Sequence, residues 1–250
     1  MNRNTIATTA MKSVRTRLML VIFALAGALA PFAPALAQSA FFVDPFMGAE
    51  LGVHLTDVDG QFLLGKGYVH RTDNEGPQST NRHYITTVRH DYVSRDWTYD
   101  ITFLSPASAP DDILFIGVGE AVPDPSYFNE PRNSLNFRLH QGFNGFSNGW
   151  RVDVAAHSVG YGVFTYIEMG VGYLPPPPPD GGSFTARIRK SGHEITFEIL
   201  GTPIFVTVPD VRSYAPFLDD SNSRLFFGNA SGEYLFSDMR VLPSSVDVSH

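Results

Sequence analysis

Apolar and polar residues alternate with a period of two through much of the chain beyond residue 40, the mark of strands buried on one face. The clearest case runs from Asn133 to His157. Leu135, Phe137 and Leu139 alternate with Asn136, Arg138 and His140, and Val152, Val154 and Ala156 alternate with Arg151, Asp153 and His157. Two strands are predicted, joined by an aromatic, glycine-rich connection that carries Phe143, Phe146 and Trp150. With the apolar set facing the core, Asn136, Arg138, His140, Asp153 and His157 are predicted to form a solvent-facing polar stripe, because one residue of slip would bury every charge.

The same reading extends in both directions. Phe41 to Leu51 is apolar and irregular, as expected of a segment tied to a sheet edge. Asp59-Gly60 stands between Val53–Val58 and Phe62–Val69 and predicts a hairpin. A polar loop from Arg71 to Arg82 precedes two strands within His83–Leu104, the second with Trp97, Tyr99, Ile101 and Phe103 on one side. Ile113 to Val118 is continuously apolar, as in a central strand covered on both faces. Gly119 to Arg132 is a long loop with three prolines and with Glu120, Asp124, Tyr127 and Glu130.

Tyr161 to Tyr173 is a strand interrupted by glycines, and Pro175 to Pro179 is a stiff surface spacer that cannot join a central ladder. Phe184–Ile188 and Ile195–Ile199 form a hairpin about Ser191-Gly192, followed by strands at Ile204–Val208, Arg224–Gly228 and Tyr234–Val241. No stretch beyond the first 37 residues repeats at helical spacing for three turns, and no internal repeat stands out. Short strands with regular turn signals predict an all-β, antiparallel two-sheet sandwich of the jelly-roll kind.

The N-terminus is different. Lys12, Arg15 and Arg17 precede an apolar run from Leu18 to Ala30 and then Ala35-Leu36-Ala37, which reads as a secretory signal peptide over residues 1–37 with cleavage before Gln38. Met11 is an alternative start that leaves the mature protein unchanged. Residues 38–250 are expected to form one β-sandwich domain, secreted or periplasmic and without a membrane span. The signal segment holds four basic residues and no acid, so its removal leaves 14 basic against 25 acidic residues and takes the formal charge from −7 to −11. That balance disfavours nucleic acid and anionic membrane surfaces as partners. With no cysteine in the chain, disulfides, thiolate metal sites and a cysteine nucleophile are excluded, and an exported protein without disulfides points to bacteria.

The order of these features resembles the concanavalin A-like lectin and glucanase superfamily, with its LamG-like jelly roll. The resemblance rests on Trp97–Leu104 leading into Asp111–Gly119, on the Gly149–His157 strand, on the Thr185–Glu198 hairpin, and on Arg224-Leu225-Phe226-Phe227-Gly228 before Ser237-Asp238-Met239-Arg240-Val241. It implies a sandwich from about Phe41 to Val241 and a glycan or polysaccharide as partner. The sequence departs from the catalytic members. The Glu-x-Asp-x-x-Glu signature of the retaining glucanases is absent, and of the lyase strands only an arginine and a histidine on one face, Arg138 and His140, have a counterpart.

The polar stripe is therefore the candidate ligand site, with Asn136, Arg138, His140, Asp153 and His157 supplying hydrogen bonds and Trp150 and Tyr127 supplying aromatic faces for a sugar ring. The alternatives are an ordinary outer sheet face for the former and loop-pinning rings for the latter. Calcium is a candidate ligand at Asp57, Asp59 and Gly60, or at Asp111-Asp112 or Asp219-Asp220, although a turn accounts for Asp59-Gly60 without a metal. No Walker or His-Glu-x-x-His motif is present. The first expectation is an exported, lectin-like carbohydrate-binding protein. A polysaccharide hydrolase or lyase with a non-standard catalytic set is second and a structural envelope protein third. The sequence leaves the oligomeric state open.

Overall fold

The computed structural model describes residues 41–48, 50–65, 67–71, 81–105, 112–120, 122–126, 128–141, 150–158, 162–174, 182–219, 222–230 and 234–244. For Arg71, Ser105, Asp112, His140, Gln141, residues 150–152, Ser158, residues 162–174 and Asp219 it describes the backbone alone. The chain divides into Met1–Gln38 and Ser39–His250, and every described residue belongs to the second unit. The expected signal peptide, Tyr127, Phe143, Phe146, the proline tract at 175–179 and His250 lie outside the described residues.

Strands are numbered in chain order. One sheet has eight: β1 (Phe42–Asp44), β3 (Phe62–Gly65), β4 (Tyr68–Arg71), β6 (Trp97–Ser105), β13 (Gly182–Ser191), β14 (Glu194–Ile199), β15 (Phe205–Val208) and β17 (Leu235–Pro243). The other has seven: β2 (Leu55–Asp57), β5 (His83–Thr87), β7 (Asp112–Glu120), β10 (Ser134–Gln141), β11 (Trp150–Ser158), β12 (Gly162–Leu174) and β16 (Ser223–Asn229). A two-stranded ribbon, β8 (Pro123–Asp124) with β9 (Glu130–Pro131), stands apart. The ladders are antiparallel, and the described residues contain no α-helix.

The two sheets close on one apolar core, as the period-two pattern requires. Trp97, Tyr99, Ile101 and Phe103 of β6 point inward with Ile188 and Phe197, against Leu114, Ile116 and Val118 of β7 and Leu135, Phe137 and Leu139 of β10. Phe137 and Phe197 stack between the sheets, ring centres 4.5 Å apart and 9° from parallel. Two aromatic rings in that arrangement add about 0.5–1.5 kcal/mol beyond the area they bury.

The order of the seven-stranded sheet is β12-β11-β10-β7-β16-β5-β2, which puts β7 in the middle as its unbroken apolar run predicts. Its alternate residue Phe115 is also buried, but on the opposite face, in a separate cluster with Tyr84 and Phe226. Glycine permits close approach between these strands. A methyl group at Gly117 would lie 2.1 Å from the Leu135 carbonyl oxygen and 2.7 Å from Cζ of Phe226, and one at Gly228 would lie 2.0 Å from the His83 carbonyl oxygen.

The predicted Asp59-Gly60 hairpin is corrected by the structure. β2 pairs with β5 in one sheet and β3 with β4 in the other, so the turn is a corner that carries the chain between sheets. The cause is local. Asp57 Oδ1 accepts the Gly60 N–H at 3.0 Å and Oδ2 accepts the Phe62 N–H at 2.7 Å, taking up backbone donors that a hairpin would give to the partner strand. The β3–β4 hairpin turns instead at Gly67, whose φ of +82° favours glycine.

Candidate functional site

The predicted pair of strands is present in the predicted register. Arg138 faces Asp153 across the β10–β11 ladder, Phe137 faces Val154 and Ser134 faces His157. Since opposed residues share a face, Asn136, Arg138, Asp153 and His157 do turn away from the apolar core. Continuing the register gives one row across the outer face: Asp153, Arg138, Phe115, Gly228 and Tyr84, from β11 through β10, β7 and β16 to β5.

The expectation that this stripe meets solvent is wrong. Arg138 keeps 3 % of its surface, and Asn136, Asp153 and His157 keep 0 %. The β8–β9 ribbon and the segment entering β5 supply partners that no strand pattern reveals. Glu130 of β9 accepts from Arg138 Nη2 through Oε1, while its Oε2 lies 3.2 Å from Arg82 Nε. Asp124 of β8 places Oδ2 3.0 Å from His157 Nε2. Its other oxygen accepts the Ser126 hydroxyl at 2.6 Å and the Ser126 N–H at 3.0 Å. Asn136 donates to the Ser134 hydroxyl at 2.7 Å.

The ribbon is therefore clasped to the outer face through two acids, each meeting a base of the underlying strands. Asp124 and Glu130 stand directly opposite one another in the ribbon's own ladder. The Asp124 carboxyl is held below the usual carboxylate range, chiefly by the Ser126 hydroxyl hydrogen bond, with the Ser126 N–H and His157 acting in the same sense against the cost of burial. A charge buried on a sheet face is tolerated only when paired, and each of these acids has a base set against it. The sequence signal for it was the pair of acids in a proline-stiffened loop. Their partners depend on long-range folding, as does Arg82, which the sequence placed only at a loop end.

The remaining predicted site residues divide as follows. His140 and Trp150 occupy strand positions on the backbone, but their side chains lie outside the described residues, as does all of Tyr127. Among the calcium candidates, Asp57 is taken up by backbone donors, and Asp59 pairs through Oδ2 with His83 Nδ1. The side chains of Asp111, Asp112, Asp219 and Asp220 lie outside the described residues. Among the described residues, no three His, Cys, Asp or Glu side chains gather as a metal site would require. His193 is exposed, as its place beside the β13–β14 turn suggests.

No protein-family model and no curated protein matches the sequence. Solved structures match the fold. The CBM2 module of the evolved Dit of Lactobacillus casei BL23 phage J-1 is 12% identical with a TM-score of 0.53, covering 83% of this chain and 97% of that one. The exoplasmic/lumenal domain of VIP36, in a Ca2+/Man3GlcNAc-bound form, is 12% identical with a TM-score of 0.53, covering 79% of this chain and 88% of that one. The laminarinase from Rhodothermus marinus is 15% identical with a TM-score of 0.51, covering 82% and 97%. At these identities the likeness shows the fold, which lectins, carbohydrate-binding modules and glycoside hydrolases share.

Proposed function

We propose that this chain, a β-sandwich of the concanavalin A-like lectin and glucanase fold, is an exported protein that binds a glycan at the outer face of its seven-stranded sheet. The observation that carries the reading is the clasped ribbon. Two acids, two arginines and a histidine are fixed on the outer face of the seven-stranded sheet, away from the shared core, at a stability cost an apolar face would avoid. Spent there, these groups hold a short loop in one position over the sheet. Asn136, Arg138, Asp153 and His157 thereby act from beneath, as the support of the site, while His140, Trp150 and Tyr127 remain candidates for direct contact with sugar.

Binding is preferred to hydrolysis on the chemistry of the two carboxyls. A glycosidase needs one acid that keeps its proton at working pH. Asp124 is shifted the opposite way, and both oxygens of Glu130 are engaged by guanidinium groups. One observation favours a hydrolase as the second reading, namely that Asp124 and Glu130 face each other across a single ladder, which sets two carboxylate-bearing residues side by side.

The experiment is a panel of β-glucan, xyloglucan, high-mannose and mucin-type oligosaccharides presented to residues 38–250, with reducing-end and unsaturated-product assays on the parent polysaccharides. Saturable binding without product release is the expected result. Release of oligosaccharides that is lost in Asp124→Asn or Glu130→Gln would establish the second reading instead. A blank panel, with a protein partner recovered from envelope fractions, would leave the structural envelope role.

A further inference from the structure

We propose that Phe128, in the loop of the β8–β9 ribbon, is the platform on which a pyranose ring stacks. The inference rests on the glycan-binding reading above and adds a residue to it.

The backbone supplies the first argument. Phe128 has φ of +52° and Asn129 has φ of +58°, so two consecutive non-glycine residues adopt the left-handed region. Asparagine tolerates that region because its short polar side chain bonds locally, whereas a bulky side chain there is an outlier that costs on the order of 1–2 kcal/mol. Glycine or asparagine would close the loop without that cost.

The surroundings hold this conformation rather than relieve it. The Arg82 N–H donates to the Phe128 carbonyl at 2.8 Å, and the Asn129 N–H donates to the Asp124 carbonyl at 2.9 Å. The Arg82 guanidinium lies 5.5 Å from the centre of the Phe128 ring and is itself paired with Glu130. The network that clasps the ribbon to the sheet is thus the same one that fixes the ring. Strain retained by so many contacts is characteristic of functional positions.

Burial does not explain the choice of phenylalanine, since Phe128 remains 44 % exposed. A large ring that is strained, anchored and half in water gives up much of the hydrophobic gain that a core phenylalanine makes. What it offers instead is a part-exposed apolar ring held in place on the ribbon. A pyranose stacks on such a ring through the apolar face that its axial C–H groups form. The ring has two torsions to immobilise, and its backbone is already ordered, so little entropy is lost on contact.

The test uses residues 38–250 and whichever oligosaccharide of the panel above binds the unaltered protein. Phe128→Gly is expected to melt no lower than the unaltered protein, since glycine accepts the positive φ, and to weaken binding about tenfold. Phe128→Tyr and Phe128→Trp should keep affinity within about threefold, and Phe128→Leu, apolar but without an aromatic face, should behave like the glycine variant. Undiminished affinity in both Phe128→Gly and Phe128→Leu would overturn the assignment while leaving glycan binding intact. A panel that stays blank for the unaltered protein would overturn the binding reading itself, and the platform with it.

Discussion

Replacing Arg138 with alanine leaves Glu130 with Arg82 in place of two guanidinium groups, in a site closed to water. Breaking a buried ion pair by removing one partner costs about 3–5 kcal/mol, and Arg138→Ala should fall near the lower end because Arg82 remains. The exposed pair Arg240–Asp238 provides the contrast. Its side chains are 51% and 39% accessible at 2.7 Å separation, so Arg240→Ala should change stability by less than about 1 kcal/mol. Urea denaturation of both variants checks the pair of predictions, and equal small losses would mean that the network is not closed to solvent. Asp124 gives a pH signature. A carboxyl titrating lower in the folded than in the unfolded chain contributes stability that is complete above its unfolded value, about 4, and is lost as pH falls through the folded value. Asp124→Asn should therefore be less stable at neutral pH and show a flatter decline between about pH 5 and pH 2. Melting curves across that range decide it; an unchanged acid limb would rule the contribution out.

At the scale of elements, the outer face of the seven-stranded sheet is a fitted surface in which glycines and rings alternate along the rows. Gly117 lies opposite Phe226 in the β7–β16 ladder and opposite Asn136 in the β7–β10 ladder. A methyl group there meets the Leu135 carbonyl as well as the Phe226 ring, so backbone must move. Gly117→Ala should cost about 1–3 kcal/mol, as overpacking does, and should disturb β10 and the ribbon's partners with it. Heteronuclear amide shifts confined to the Phe226 ring's immediate neighbours would argue against that transmission. The corner at Asp57 is a second element-scale test. Removing its two backbone hydrogen bonds by Asp57→Ala should cost about 1–3 kcal/mol, while Asp57→Asn should recover much of the loss.

For the whole molecule, stability has to come from the core between the sheets, since the sequence contains no cysteine to cross-link it. Residues 38–250 should show a far-ultraviolet spectrum of strand and turn and a single cooperative melt, as one core implies. On the protein in its host, N-terminal sequencing of the secreted or periplasmic form is expected to begin at Gln38. A form retaining residues 1–37 in the membrane fraction would contradict processing there.

The period-two pattern by itself determined the inward set of the main strands, because strand geometry ties the face of a residue to the parity of its position, and the unbroken apolar run of Ile113–Val118 placed β7 centrally. It was also enough to turn Asn136, Arg138, Asp153 and His157 away from the core. Whether a residue on the far side of a sheet meets water is a different matter, since it depends on what else folds over that side. Glu130, Asp124 and Arg82 reach the stripe from a ribbon and a loop end whose sequences carry acids, prolines and an arginine but no period. The Asp59-Gly60 corner has the same origin: a pair of residues fixes a turn, while the sheet each flanking strand joins is settled by its ladder partners, β5 for β2 and β4 for β3. Local alternation is written in neighbouring residues and can be read from them. Pairing and covering are long-range, and only the closed tertiary structure brings their partners together.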